Sequence, residues 1–372
     1  MAVYKIFASA DASIYSSDIG KNTGLDEILE VGVKNYGASI NGRYLSHTTE
    51  DIRRSIIKFS DSDIATINAL NPSGNSNFQT SLRLYLANAE NLSTTYSLYF
   101  HSMNQSWDMG TGKFGDYPDT INGVCWNSPN AYVTGSSASW TAVTNYYTVP
   151  GGGSYIPTSS GFAYSTQSFG YSDNKDINVD VTNIFKGWYY SIYANNGILV
   201  RHAPNIEINS GSYIETKFFS TDTHTIYPPT LEFKWDDSNY ITGSIISDDD
   251  FVVNFANNKS EFKYGTQQYR VKLATRKTFP TRQFVTSSIY LNTLLLPSSS
   301  YWAIQDYKTE EMVIDFDTNY TKISSDGVYN YFNLYMNGLE PERYYKLLVK
   351  TVVPSTQESI NIDSDLIFKI VR

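Results

Sequence analysis

Glu27-Ile28-Leu29-Glu30-Val31-Gly32-Val33 sets Leu29, Val31 and Val33 at every second position. That is the two-residue period of a strand with one buried face. The same alternation runs through Lys5, Phe7 and Ser9 at the head of the chain. Short apolar or alternating runs recur at 55–59, 82–86, 96–100, 177–181, 197–201, 217–219 and 231–235, most bounded by Ser, Asn, Asp or Gly. Such clusters supply the turn chemistry expected between strands. Helical spacing is rare: one turn or two over 62–70, and a segment over 181–190 that Asp180 is placed to cap. Many short strands with polar turns and little helix predict an all-β chain of the sandwich or jelly-roll type.

Composition agrees with that reading. Aromatic residues make up 15% of the 372 residues (31 Tyr, 19 Phe, 6 Trp) and charged residues only 17%, against about a quarter charged in an average soluble protein. Tyr, Phe, Val, Ile and Thr fit a pleated surface better than a helix, so the aromatic excess and the strand pattern have one cause. Hydrophobic residues at 41% exclude a disordered chain. The single cysteine, Cys125, excludes a disulfide scaffold and a cysteine-ligated metal site, and reads as a small core residue. A net charge of −9 argues against a nucleic-acid partner. The opening residues lack a basic, then apolar, leader pattern and no stretch approaches a membrane span, so a cytosolic origin and no membrane partner are expected.

Two stretches break the strand rhythm. Residues 104–118, with Gly110, Gly112 and Gly115, read as a long loop; 150–154 (Pro-Gly-Gly-Gly-Ser) reads as a turn or flexible tip. Loops of this length in a compact domain are usually functional or contact a partner. A polar boundary at 235–239 divides the chain into residues 1–236 and residues 237–372. The second part holds strand-like runs at 241–246, 251–255, 268–273, 288–296, 312–316, 329–336, 344–352 and 366–371, a fitting number for an immunoglobulin-like sandwich.

In the first part, Arg54-Ser-Ile-Ile-Lys-Phe59, Ser81-Leu-Arg-Leu-Tyr-Leu86, Trp107, Trp126-Asn-Ser-Pro129, Val179-Asp-Val-Thr182 with Trp188, Asn196-Gly-Ile-Leu-Val200 and Pro229-Thr-Leu-Glu-Phe-Lys-Trp235 follow one another. In that order they resemble the DNRLRE family of β-sandwich modules, similar to carbohydrate-binding jelly rolls. The resemblance implies that Trp126 and Trp188 are core residues. In the second part, Leu339-Glu-Pro341-Glu-Arg-Tyr-Tyr345-Lys-Leu347 resembles the corner of fibronectin type III and related domains. There Pro341 sets the turn, the Tyr345 ring joins the core and its hydroxyl bonds an upstream backbone group. The pairing of the two parts, with the Ser/Asn/Tyr-rich style of 331–345, resembles virion structural proteins of tailed phages that infect marine cyanobacteria.

Paired acids at Asp116/Asp119, Asp173/Asp176, Asp248–Asp250 and Asp315/Asp317 read as solvated turn residues. The alternatives are a glycosidase pair and, at Asp173–Asp176, a bound cation. His202 and His224 read as turn residues, and the chain has no nucleophile elbow. Lys263, Arg270, Lys272, Arg276, Lys277 and Arg282 form the one basic cluster; it reads as a solvated strand face, or as a contact for an acidic neighbouring subunit. Trp107, Trp140, Tyr146 and Tyr147 flank the long loops and are the candidate exposed stacking faces. The expectation is a protein with no catalytic residues, cofactor or metal. It would act in the virion, assembled in the host cytoplasm, binding other structural proteins at neck, tail or baseplate in multiple copies. The alternatives are a module that binds host surface glycan and a capsid decoration protein.

Overall fold

The computed structural model describes residues 2–35, 50–70, 74, 77–131, 139–140, 151–157, 163–207, 213–257, 259–265, 268–280 and 293–372. In chain order the elements are β1 (Ala2–Phe7), β2 (Ala10–Tyr15), β3 (Ile28–Asn35), β4 (Glu50–Lys58), α1 (Asp61–Ala69), β5 (Gln79–Leu84), β6 (Leu86–Glu90) and β7 (Tyr96–Ser102). Next come β8 (Tyr164–Phe169), β9 (Ile177–Asp180), α2 (Thr182–Tyr189), β10 (Ile198–His202), α3 (Pro204–Glu207), β11 (Tyr213–Phe219) and β12 (Thr230–Trp235). The remainder supplies β13 (Tyr240–Ile241), β14 (Phe251–Phe255), β15 (Glu261–Lys263), β16 (Tyr269–Lys277) and β17 (Ser300–Asp306). It ends with β18 (Met312–Ile314), β19 (Ser324–Asp326), β20 (Asn330–Leu334), β21 (Tyr344–Val352) and β22 (Ser359–Val371). The chain is all-β, a jelly-roll-like sandwich followed by an immunoglobulin-like one.

Two compact units result. The N-terminal unit comprises Ile6–Leu70 and Thr80–Glu232, and the C-terminal unit Met1–Lys5, Asn71–Gln79 and Phe233–Arg372. The division thus passes through β1 and β12 themselves.

In the N-terminal unit the larger sheet runs β6-β11-β3-β4-β10-β7-β8, with β2 added beside β4. Strand β3 pairs with the first half of β4, and β2 pairs along Arg53 to Lys58. Every described side chain of β4 from Asp51 to Ile57 is buried, because both faces of this strand are covered. The adjacent residues Arg53 and Arg54 therefore point into opposite layers. The smaller sheet has the order β1-β12-β5-β9. Asp180 ends β9 and its carboxylate accepts the Thr182 backbone N–H at 2.8 Å, satisfying one orphan donor at the start of α2. That helix buries Ile184, Phe185 and Trp188, and the Trp188 indole donates to Ser102 Oγ at 3.2 Å.

The C-terminal unit stacks sheet β13-β19-β20-β16-β14 on sheet β15-β22-β21-β17-β18. Trp302 of β17 and Phe332 of β20 meet between the two sheets, with ring centroids 5.1 Å apart and planes 10° from parallel. Val3 belongs to the same core. At the corner before β21, Leu339 is buried, Pro341 lies in the turn, and the Tyr345 ring packs on Phe368 while its hydroxyl donates to the Glu340 carbonyl at 3.2 Å.

The strands depart from the expected runs in several places, and β8, β15 and β19 match none of them. The run 241–246 forms only Tyr240–Ile241 and an isolated bridge from Ile245 to Leu295. Of the run 288–296, residues 288–292 lie outside the described residues. Strand β17 was not signalled, because Trp302, Ala303 and Ile304 are consecutive buried residues and erase the alternation.

Trp302 carries the inter-sheet contact, so Trp302→Ala lowers the stability of the C-terminal unit by about 3–5 kcal/mol, read from denaturant unfolding. Among the described residues its buried indole N–H has no partner, so Trp302→Phe, which keeps a ring against Phe332, costs far less.

A candidate binding loop over a buried ion network

Between β7 and β8 lies the long glycine-bearing segment. Its base is held by Asn22, which is fully buried. The Asn22 amide donates to the Met109 carbonyl at 2.7 Å and the Val124 carbonyl at 2.9 Å, and its oxygen accepts from Gly112 N at 2.8 Å. The backbone N–H of Asn22 reaches Thr120 O at 3.0 Å, and Leu25 N reaches Gly112 O at 2.9 Å. Gly110 adopts φ +77°, and a Cβ there would stand 2.4 Å from Asn22 Oδ1, so only glycine lets the strap close over the asparagine.

Above this clamp the chain is bonded again. Asp116 accepts from Lys113 N and from the Thr120 hydroxyl, which holds its carboxyl below the usual range. Asp26 accepts the Phe114 N–H at 3.1 Å, and Lys21 bonds the Phe114 carbonyl at 3.0 Å and Asp119 at 3.1 Å. What this rigid loop presents outward is apolar: Phe114 is 43% exposed, Ile121 45% and Tyr117 99%. Phe114 rests on Tyr15, centroids 4.9 Å apart, beneath the Lys21 ammonium.

Beneath the loop the polar side chains are spent on architecture. Glu207, on α3, is 1% exposed and bridges two arginines. Arg54 grips it with Nε at 3.1 Å and Nη2 at 2.8 Å, and Arg201 approaches at 3.0 Å. Arg54 also donates to the Gly152 carbonyl at 2.6 Å and lies over the Trp126 ring. Arg201 donates to the Tyr155 hydroxyl and lies over that ring. On the other side of β4, Arg53 meets Asp51, Glu30 and Glu215, and Lys217 joins the two glutamates at 3.0 and 3.1 Å.

The residues singled out from sequence fall as follows. Trp107 and Trp140 are buried, not exposed stacking faces: their indoles donate to Asn196 O at 2.8 Å and Cys125 O at 3.1 Å, and both rings pack with Trp126 in one core cluster. Tyr146 and Tyr147 lie outside the described residues. Cys125 is buried, which pushes its thiol up. Gly152 and Gly153 form no loop tip; they are buried against Trp126, Arg54 and Leu199, and a Cβ on Gly152 would meet Arg54 at 2.6 Å. His202 is no turn residue either: it ends β10 fully buried. At Asp173–Asp176 the ammonium of Lys175 occupies the carbonyl cluster of Gly170, Tyr171 and Asp173, and Asp176 accepts from Leu86 N. Among the described residues no group of three His, Cys, Asp or Glu is placed to hold a metal ion. Sequence reasoning missed Asn22 and the exposed trio Phe114, Tyr117 and Ile121. The usable signal was the glycine density of 110–123 around an aromatic pair.

No family model matches this chain, and a search of curated proteins returns no match.

Asn22→Ala leaves two carbonyls and the Gly112 N–H without their partner, at about 1–3 kcal/mol for each group that stays buried. Amide exchange over 109–124 accelerates in that variant while the amides of β16 to β22 keep their protection. A second expectation concerns pH. Burial, reinforced by Arg201, pushes His101 down to about 3, and burial pushes His202 down to about 4, from 6.5 in an unfolded chain. Their stabilisation is complete above pH 6.5 and is lost as pH falls toward those values. Burial raises Asp11 from 3.8 to about 7, so its contribution is complete below 3.8 and is lost as pH rises through 7. Two histidines outweigh one carboxylate. The Tm of the N-terminal unit therefore falls on acidification from neutral pH toward pH 4.5, and Asp11→Asn makes the fall steeper, as followed by circular dichroism.

Proposed function

We propose that this chain is a non-enzymatic virion structural protein that binds neighbouring subunits through its sandwich surfaces, with the 104–131 loop as the principal contact. The observation that carries the reading is the apolar tip of Phe114, Tyr117 and Ile121 on a loop already clamped by Asn22. An apolar side chain held in water gains free energy when a partner covers it. A pre-ordered loop forfeits little conformational entropy on docking, and rigid aromatic residues are the usual interface anchors. The buried acids, arginines and histidines support the same reading, since each is engaged in holding strands together. The resemblance of the chain to virion proteins of tailed phages supplies the setting.

Mass spectrometry of purified particles tests it: the protein is expected at a fixed copy number relative to the major capsid protein, and its absence from particles overturns the reading. Tyr117→Ala removes a fully exposed ring and leaves stability within about 0.5 kcal/mol of the parent. It is expected to weaken incorporation by about 2 kcal/mol, the scale of an interface anchor. Loss of glycan-array binding in the same variant, with incorporation unchanged, would favour the glycan-binding alternative.

A further inference from the structure

The outward face of β16 is a row of cations. Arg270, Lys272 and Arg276 alternate with the buried residues Val271, Leu273 and Thr275. Arg270 lies 4.6 Å over the Tyr331 ring of the adjacent β20, and Lys272 lies 5.8 Å over Tyr329. Arg270 also reaches the Asn333 amide oxygen at 3.4 Å, and Arg276 donates to the carbonyls of Lys277 and Thr278. The partners these three cations find among the described residues are rings, an amide and backbone carbonyls. Carboxylate residues also border the row: Asp237 is bonded to Asn333, Asp326 caps the turn before β20 while feeling the charge of Lys272, and the Asp250 carbonyl accepts the Thr278 N–H beside Arg276. Of the other basic residues expected in this cluster, Lys263 is on β15 in the opposite sheet and Arg282 is outside the described residues. The result is a flat surface of three cations and two tyrosines on a chain of net charge −9.

The loop tip has the complementary character. Beside Phe114 and the loop backbone stand Asp26, Asp116 and Asp119, with Lys21 and Lys113. Asp26 bonds the loop backbone, Asp119 pairs with Lys21, and Asp222 feels both Lys113 and Glu27. Apolar side chains beside acidic residues are opposite in charge to a row of cations laid beside two tyrosines.

We propose that the Arg270/Lys272/Arg276 strip with Tyr329 and Tyr331 is the seat for the 104–131 loop tip of a second copy of this chain. Two copies of net charge −9 repel at long range, so association between them needs locally opposite patches, and these two supply the match. A contact between different surfaces of identical chains is heterologous, and it propagates into a ring or a filament. One loop on one sheet face buries less than a stable dimer needs, so each contact is weak alone and gains from closure. This inference rests on the reading of the chain as an assembly component.

Charge exchange on the full chain tests it. Sedimentation equilibrium at low salt is expected to show concentration-dependent association of the parent protein, weakening as added salt shortens the screening length. Arg270→Glu with Lys272→Glu makes both surfaces acidic; Glu27→Lys with Asp119→Lys makes both basic. Arg270, Glu27 and Asp119 are exposed and Lys272 is half-buried, and each pair is expected to weaken association at least tenfold while the melting curve shows a folded protein. An equimolar mixture of the two variants restores opposite charges and is expected to associate as the parent does. Three outcomes overturn the inference: a parent that stays monomeric up to its solubility limit, association indifferent to the substitutions, or a mixture that does not recover. A protein found in particles but lacking this exchange keeps the assembly reading and loses only the strip-to-tip contact. A protein absent from particles loses the assembly reading whatever its state in solution.

Discussion

Glu207 is held between Arg54 and Arg201 in a place water does not reach, and the surrounding layers of the N-terminal unit are arranged to make that tolerable. A carboxylate at this depth loses its hydration, and two guanidinium groups lose theirs with it. Their mutual attraction offsets the loss only because the remaining donors are also met, by the Gly152 carbonyl and the Tyr155 hydroxyl. The triad ties β4, β10, α3 and the 151–155 segment to one point. Burial holds the neighbouring imidazoles of His101 and His202 neutral, and the Arg201 guanidinium adds to that effect. Removal of Glu207 would leave two buried guanidinium groups uncompensated, so these residues act as a unit.

This arrangement explains a division of labour in a chain with few charges. Inside, acids and bases serve to fix strands. Outside, the distinctive chemistry is confined to a clamped loop and to one sheet face, where rings and charges adjoin. Asn22 does for the loop what Glu207 does for the strands beneath it: a single buried polar side chain with several bonds reinforces the core contacts of Trp107, Val124 and Trp126.

Local features were legible in the sequence. The alternation of Leu29, Val31 and Val33 marks β3; Asp180 marks the start of α2; the spacing of Leu339, Pro341 and Tyr345 marks the corner before β21. What was illegible depends on distant partners. Arg54 reads as a strand residue, but its carboxylate is 153 positions away, and the most distant of the three carboxylates of Arg53 is 162 positions from it. Nothing near Trp107 or Trp140 announces that their indoles will find the carbonyls of Asn196 and Cys125. Three glycines in a row suggest freedom; here they mark the tightest packing, because only a backbone without side chains fits between Arg54 and Trp126. Tyr117 and Phe114 are among the exposed aromatic residues, while the tryptophans flanking their loop are drawn into the core that supports it.

Val3 packs in the core of the C-terminal unit, and the Lys5 ammonium donates to the Val313 carbonyl. These residues leave the ribosome more than two hundred positions before the strands they join. During synthesis, the N-terminal unit can close around its own buried ions while residues 2–5 wait without their partners. Strand β1 also waits for its sheet partner β12, a contact of very high sequence separation and so a slow one to form. Until that moment an apolar strand is open to capture by another nascent chain, so the order of translation puts the greatest risk of misassembly late, when the first strand is still unclaimed.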